Sequence, residues 1–98
     1  MRVDDALFNW LQIKLVADAR PHDSAAIDTE RFFWQILEED HQIRSLEITK
    51  TDDTMVHIAY TQGEKTKKLF YDREHAEQLL HEINSEPRYN LDEKVSEE

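Results

Sequence analysis

Histidine is the side chain in this sequence best suited to bind a metal ion or to move a proton near neutral pH. The chain has five histidines and no cysteine. His75 and His81 lie on roughly opposite sides of a helix, whereas two ligands on one face need a spacing of three, four or seven residues. Glu77 and His81 have the four-residue spacing and can pair, but no second histidine completes the pattern of a zinc protease. We therefore predict no metal site and no cofactor.

Three adjacent residues, His22, Asp23 and Ser24, have the composition of a hydrolase triad. A triad requires side chains that converge on one reacting atom, and adjacent residues do not converge in that way. Asp23 or Ser24 is better suited to cap the following helix. Among 22 acidic residues no carboxylate pair stands out as acid and base, and a single glycine argues against a glycine-rich nucleotide loop. We predict a protein without catalytic activity, in which His57 is a hydrogen-bonded structural residue of a strand.

The charge is strongly acidic, since 22 acidic and 12 basic residues give a net charge of −10. Such a field repels nucleic-acid backbones and anionic membranes; it favours basic protein surfaces or simply keeps the chain soluble. The local exception is Lys65, Lys67 and Lys68 beside Phe70, which together resemble a small nucleic-acid patch in composition. Strand alternation places Lys68 and Phe70 on one face and Lys67 on the other, and protection of a sheet edge explains the same lysines.

Length and hydropathy indicate one domain of 98 residues. No run of 18 or more apolar residues is present, so we expect no membrane span. The N-terminal residues lack the basic region and apolar core of a signal peptide, and cysteine is absent, so we expect a cytoplasmic protein.

The stretch 44–72 is predicted to form three short strands joined by two turns. The helices on either side of it would pack on this sheet. Residues 45–50 alternate polar and apolar, and residues 55–60 and 66–71 form the next two strands. Asp52 and Asp53 favour the first turn, and Gly63 favours the second. Connections this short predict antiparallel strands in the order 1-2-3, with the middle strand apolar on both faces.

Helices are predicted on both sides of these strands. The first spans residues 4–20, with Asp4 or Asp5 as its cap, and ends before Pro21. The second spans residues 24–41, and the third spans 72–85 with Asp72 as its cap.

We predict an α+β fold of order ααβββα over residues 1–86, followed by a disordered acidic tail over 87–98. The predicted core joins sheet and helix residues: Leu46, Ile48, Val56, Ile58, Leu69 and Tyr71 with Leu7, Leu11, Phe33, Leu37, Leu80 and Ile83.

The first helix is apolar nearly all round, with Ile13 and Val16 lying well away from its main stripe. A helix of this kind is either enclosed within its own fold, here between the sheet and the second helix, or buried against a second molecule. In the second helix, three aromatic residues in a row cannot all point inward, so Phe32 or Trp34 should reach the first helix or the surface.

Glu38, Glu39 and Asp40 place negative charge at the C-terminal end of the second helix, where it opposes the helix dipole. Such placement indicates either a solvated face or an acidic patch for a basic partner. We therefore predict a non-catalytic protein-interaction or regulatory module that forms a homodimer. Its candidate interaction surface comprises Ile13, Val16, Trp34, Glu38, Glu39 and Asp40. The alternatives are an acidic inhibitor or immunity-type protein with a basic target, and a weak nucleic-acid binder through Lys65, Lys67 and Lys68.

Overall fold

The computed structural model describes residues 1–86 and confirms the predicted α+β architecture. The tail of residues 87–98, predicted to be disordered, lies outside the described residues. Within the described part, no helix has the length and apolar character needed to cross a membrane. The elements are α1 (Val3–Ala19), α2 (Ser24–His41), β1 (Ile43–Thr51), β2 (Met55–Gln62), β3 (Lys65–Asp72), α3 (Arg73–Ala76) and α4 (Gln78–Ser85).

Side-chain caps begin two of the helices as predicted. The Asp23 carboxylate accepts a hydrogen bond from the Ala26 amide at the start of α2, and Asp72 accepts one from the His75 amide at the start of α3. Helix α1 differs, because it begins at Val3 with no side-chain cap. Asp4 and Asp5 therefore lie inside its first turn rather than at its cap, where their charge still complements the helix dipole.

The predicted third helix is divided into α3 and α4 at Glu77. There the backbone takes φ −89° and ψ −1°, which lies at the margin of the helical region and interrupts the regular turn. Segment α3 contacts β2, β3 and α1, while α4 packs mainly on α1. The predicted C-terminal helix is confirmed, with a local irregularity at Glu77 that propensity and periodicity do not register.

The sheet is an antiparallel meander in the order β1-β2-β3, as predicted. Ile58 of the central strand pairs with Ile48 of β1 and with Leu69 of β3. Gly63 takes φ +61° in the β2–β3 turn, a conformation that glycine adopts without steric cost. One face of the sheet packs against the helices, and its central strand contributes Val56, Ile58 and Tyr60, all buried.

The core is split into two clusters rather than joined in one. The first lies between the sheet and α1 and α2, and includes Leu7, Leu11, Leu37 and Ile58. The second surrounds the far side of α1, where Leu79, Leu80 and Ile83 pack on Ile13, Val16 and Ala26. The expected contact of Leu80 and Ile83 with the sheet core is thus replaced by contact with α1, because α4 lies on that helix.

This second cluster explains why α1 is apolar nearly all round. Ile13 is 8% exposed and Val16 is 0% exposed, both covered by residues of α2 and α4. The first helix is therefore enclosed within its own fold, with α4 added to the predicted neighbours. Neither Ile13 nor Val16 lies on the exposed surface of the chain, which corrects their placement in the candidate interaction surface.

Candidate functional site

A groove of about 490 Å³ opens between α1, α2 and β1. Its aromatic and aliphatic walls are Trp10 of α1, Trp34 of α2, and Leu46 and Ile48 of β1. Its charged residues are Lys14, Asp18, Glu30 and Glu47. We call this site the tryptophan groove. An apolar wall beside a few polar groups is the usual make-up of a binding cleft.

Helical spacing brings these residues together. Trp10, Lys14 and Asp18 follow one another at intervals of four along α1, so they share one side of that helix. Glu30 and Trp34 have the same spacing on α2. The short connection between α1 and α2 makes the two helices neighbours, and the two rows therefore face a common groove.

A hydrogen bond ties the two rows at the base of the groove. The indole Nε1–H of Trp10 donates to Oε2 of Glu30 at 2.9 Å. Trp10 is only 4% exposed, so this bond satisfies a donor that is almost completely buried. The other carboxylate oxygen, Oε1, has no partner among the described residues. Glu30 is therefore held in place by one oxygen and keeps the second available.

The electrostatic balance of the groove is negative. Asp18, Glu30 and Glu47 contribute three carboxylates against the single ammonium of Lys14. Lys14 is already paired with Asp18 at 3.1 Å. A cleft with low-dielectric walls and one dominant sign of charge concentrates counter-ions. The groove therefore suits a cationic group that also has apolar or planar surface.

The acidic end of α2 adjoins this groove. Glu38 follows Trp34 by four residues and lies on the same side of the helix. It lines a smaller cavity of about 310 Å³ together with Arg44 of β1. Glu39 and Asp40 are exposed as well. Of the predicted interaction surface, the structure thus brings Trp34 and Glu38 together at one side of α2, while Ile13 and Val16 lie inside the fold.

Sequence reasoning missed Trp10, Asp18 and Glu30. The signal was present as two rows of residues at four-residue intervals, one in each helix. The sequence alone does not show that these two rows face each other, and so it does not reveal a shared groove. Of the aromatic run, Phe32 is exposed, which confirms that one of the three reaches the surface, while Trp34 is half-buried in the groove.

Within residues 1–86, no helix covers the opposite face of the sheet. There His57 Nε2 lies 3.1 Å from Oδ2 of Asp52, which confirms a hydrogen bond at this histidine. Asp52 also accepts from the backbone amides of Met55 and Thr54, and these bonds, with the weaker contribution of His57, lower its pKa to about 2. The ring of Phe70, 64% exposed, stands 5.6 Å from His57. The arrangement ties the first turn to the central strand.

The lysines of β3 are exposed, as edge protection requires. Lys68 lies one alternation step from Phe70 on the open face, while Lys67 Nζ donates to Oε1 of Gln62 at 3.0 Å. The predicted division of Lys67 and Lys68 between two faces follows from the regular pairing of β3 with β2. The structure therefore does not collect Lys65, Lys67 and Lys68 into one face.

Another cavity, of about 610 Å³, is a wide opening along α3 and α4 that includes His75 and His81. His81 lies 3.9 Å from Glu77, whose other oxygen accepts from Arg73 Nε at 3.1 Å. His75 packs against the ring of Phe8 with centroids 4.8 Å apart. Across residues 1–86, histidine and carboxylate side chains form no group of three that could hold a metal ion.

In the tryptophan groove, aromatic, aliphatic and charged side chains of three elements meet. The groove has a fixed carboxylate at its base and an exposed acidic segment at its edge. Comparisons with models of protein families, with curated proteins and with solved structures found no match to this chain.

Proposed function

We propose that this chain is a non-catalytic, cytoplasmic protein-interaction module that binds a basic segment of a partner protein along α2. The tryptophan groove carries this proposal, because it combines a tryptophan wall with three carboxylates. The net charge of −10 supports it, since it steers basic partners toward the surface and repels acidic ones. An inhibitor of a basic target would use the same surface, with loss of the target's activity as its added effect.

The geometry of α2 suits such a partner. Trp34 offers a large, half-buried ring of the kind that dominates the energetics of interfaces. Glu38, Glu39 and Asp40 extend the negative surface beyond it and are solvent-exposed. At an exposed rim, charges contribute mainly to the association rate and to its salt dependence. The groove would therefore contribute most of the binding energy, and the acidic end of α2 would speed the association of the basic partner.

Self-association is a separate proposal with less support. A homodimer was predicted from Ile13 and Val16, which the fold encloses. Among residues 1–86, Phe32 of α2 and Phe70 of the open sheet face are both exposed aromatic residues, and Phe70 is the one that we assign to contact with a sister chain. Light scattering coupled to size-exclusion chromatography tests this proposal, with Phe70→Ser as the variant. A dimer converted into a folded monomer supports it; a parent chain that is monomeric at all concentrations rejects it.

Binding to a mixed lysine–arginine peptide tests the main proposal. Isothermal titration at low and moderate salt should show binding that weakens as salt is added. A triple variant, Glu38→Gln, Glu39→Gln and Asp40→Asn, should bind several-fold more weakly. The matched control changes the same number of exposed charges elsewhere: Asp53→Asn, Glu64→Gln and Glu74→Gln.

Two results would contradict the proposal. The first is no detectable binding of the basic peptide even at low salt. The second is an equal loss of binding in the triple variant and in its control, since that would indicate attraction by net charge alone rather than by a surface along α2.

A further inference from the structure

We propose that the tryptophan groove is a receptor for an arginine side chain of the partner, with Glu30 and Trp34 as its two recognition elements. This inference rests on the proposed function, because the arginine belongs to the basic segment that binds along α2. It adds a chemical specificity that a generally acidic surface lacks, namely preference for a planar guanidinium over a lysine ammonium.

Glu30 supplies an acceptor that is oriented before the ligand arrives. Its Oε2 is held at 2.9 Å by the buried indole of Trp10, and its Oε1 has no partner among the described residues. A carboxylate restrained in this way loses little side-chain freedom when it accepts a hydrogen bond. A guanidinium N–H therefore has a fixed acceptor at the base of the groove.

The wall of the groove suits the rest of an arginine side chain. Trp34 is half-buried, so its indole is restrained yet reachable, and a guanidinium can stack on it. Leu46 and Ile48 of β1 are also half-buried and offer aliphatic surface to a methylene stem. An ammonium is compact and strongly hydrated, so it gains less from this wall than a guanidinium does.

Charge in the groove also favours a cation over an anion or a neutral group. Lys14 is the single ammonium of the groove, and it is paired with Asp18 at 3.1 Å. It therefore does not neutralise Glu30 directly. With Glu47 at the edge of β1, the carboxylates outnumber the ammonium, and an acidic side chain of a partner would be repelled.

The test compares two peptides that differ only in having three arginines or three lysines between glycine–serine spacers. Titration into the complete chain should show the arginine peptide bound about fivefold more tightly or better. Glu30→Gln should remove most of this preference, because the amide oxygen can still accept from Trp10 while the charge is lost. Glu64→Gln, an exposed change of the same kind outside the groove, should leave the preference intact.

A second measurement locates the bound peptide without relying on an affinity. The chain contains two tryptophans, both in the groove, so a nitrogen–proton NMR spectrum has two indole signals to follow. The arginine peptide should shift both signals, and Trp34→Phe should assign them while retaining an aromatic wall. Circular dichroism confirms that each variant is folded.

The outcomes separate this inference from the proposal on which it rests. Equal binding of both peptides, with Glu30→Gln unchanged and the variant at the end of α2 weakened, overturns the arginine receptor and leaves the protein-interaction module standing. Tight arginine binding with unmoved indole signals overturns it as well. Failure of both peptides to bind at low salt overturns the proposed function and this inference together.

Discussion

The two sides of helix α1 differ although both carry large apolar residues. On one side, Ile13 and Val16 are sealed beneath α2 and α4. On the other, the half-buried Lys14 borders an open groove that the buried Trp10 also lines. The two sides also differ in the residues that α2 contributes. Ala26 is small and 5% exposed, so it packs closely on the sealed side. Trp34 is large and belongs to the groove, where the walls stay apart. Charged side chains line the groove, whereas apolar side chains line the sealed side.

The contrast teaches that apolar residues all round a helix do not identify an interface. An interface needs surface that the rest of the chain leaves uncovered. Among residues 1–86, the tryptophan side of α1 borders an open groove and the Ile13 side does not. Four experiments test this division, in order of decreasing effect.

Val16→Glu tests whether the sealed side belongs to the core. A carboxylate at this 0% exposed position has no partner, so we expect a loss of more than about 4 kcal/mol in the free energy of unfolding. That loss is a large share of the stability of a small domain, so most molecules of this variant should be unfolded. Circular dichroism and light scattering measure the outcome. A folded monomer derived from a dimer would instead place Val16 at an interface between copies.

Trp10→Phe tests the base of the groove. Phenylalanine retains an aromatic ring but lacks the Nε1–H that donates to Glu30, so we expect a loss of about 1–3 kcal/mol in unfolding free energy. Urea denaturation followed by circular dichroism gives the value. Trp34→Phe, which removes no hydrogen bond found in the structure, is the control and should cost less. Equal losses in the two variants would mean that the hydrogen bond from Trp10 to Glu30 does not contribute measurably to the free energy of unfolding.

Tyr71 tests how the N-terminal part of α1 sits on the sheet. Its ring lies 5.3 Å from Phe8, and burial, followed by the negative charge of Asp4, raises its pKa to about 12. The unfolded chain ionises this tyrosine at an ordinary pKa near 10, so its contribution to stability is present below about pH 10. That contribution is lost as the pH rises toward 12.

Denaturation series at increasing alkaline pH, with tyrosinate absorbance recorded in parallel, measure this dependence. Tyr71→Phe keeps the packing against Phe8 and should flatten the fall in stability over this pH range. A slope that is the same with and without the Tyr71 hydroxyl would contradict the assigned burial.

Lys14→Gln has the smallest expected effect on stability and sharpens the account of the groove. Its pair with Asp18 is partly exposed on a helix, so its loss should cost at most about 0.5 kcal/mol. Removal of the ammonium makes the groove more negative, so the arginine peptide should bind more tightly. Weaker binding in this variant would show that Lys14 supports the ligand rather than opposing it.

Features that depend on neighbouring residues in the chain were predictable. The polar–apolar alternation and Gly63 predicted the meander, and Asp23 and Asp72 were recognised as helix caps. Two local details differed: α1 begins before Asp4, and the last helical stretch is divided at Glu77. Both concern helix boundaries, where small differences in backbone angle decide the outcome and residue type carries little information.

The groove was not predictable in the same way. Trp34 and Glu38 were identified as surface candidates, but Trp10 and Glu30 gained their role only by facing each other across two helices. Ile13 and Val16 were assigned to a surface because the sequence does not show where α4 will lie. The placement of a helix against another depends on the packing of side chains distant in sequence.

By itself, the sequence determined the antiparallel sheet, its central strand, the order of helices around it and the acidic charge of the whole. Periodicity, turn residues and composition are properties of short stretches of sequence, so they can be interpreted before the fold is known. Only the tertiary structure decided that one side of α1 is sealed and the other is open. That difference depends on which residues of α2, α4 and β1 contact α1. These residues are distant in sequence, and they must fit together at the density of a protein interior.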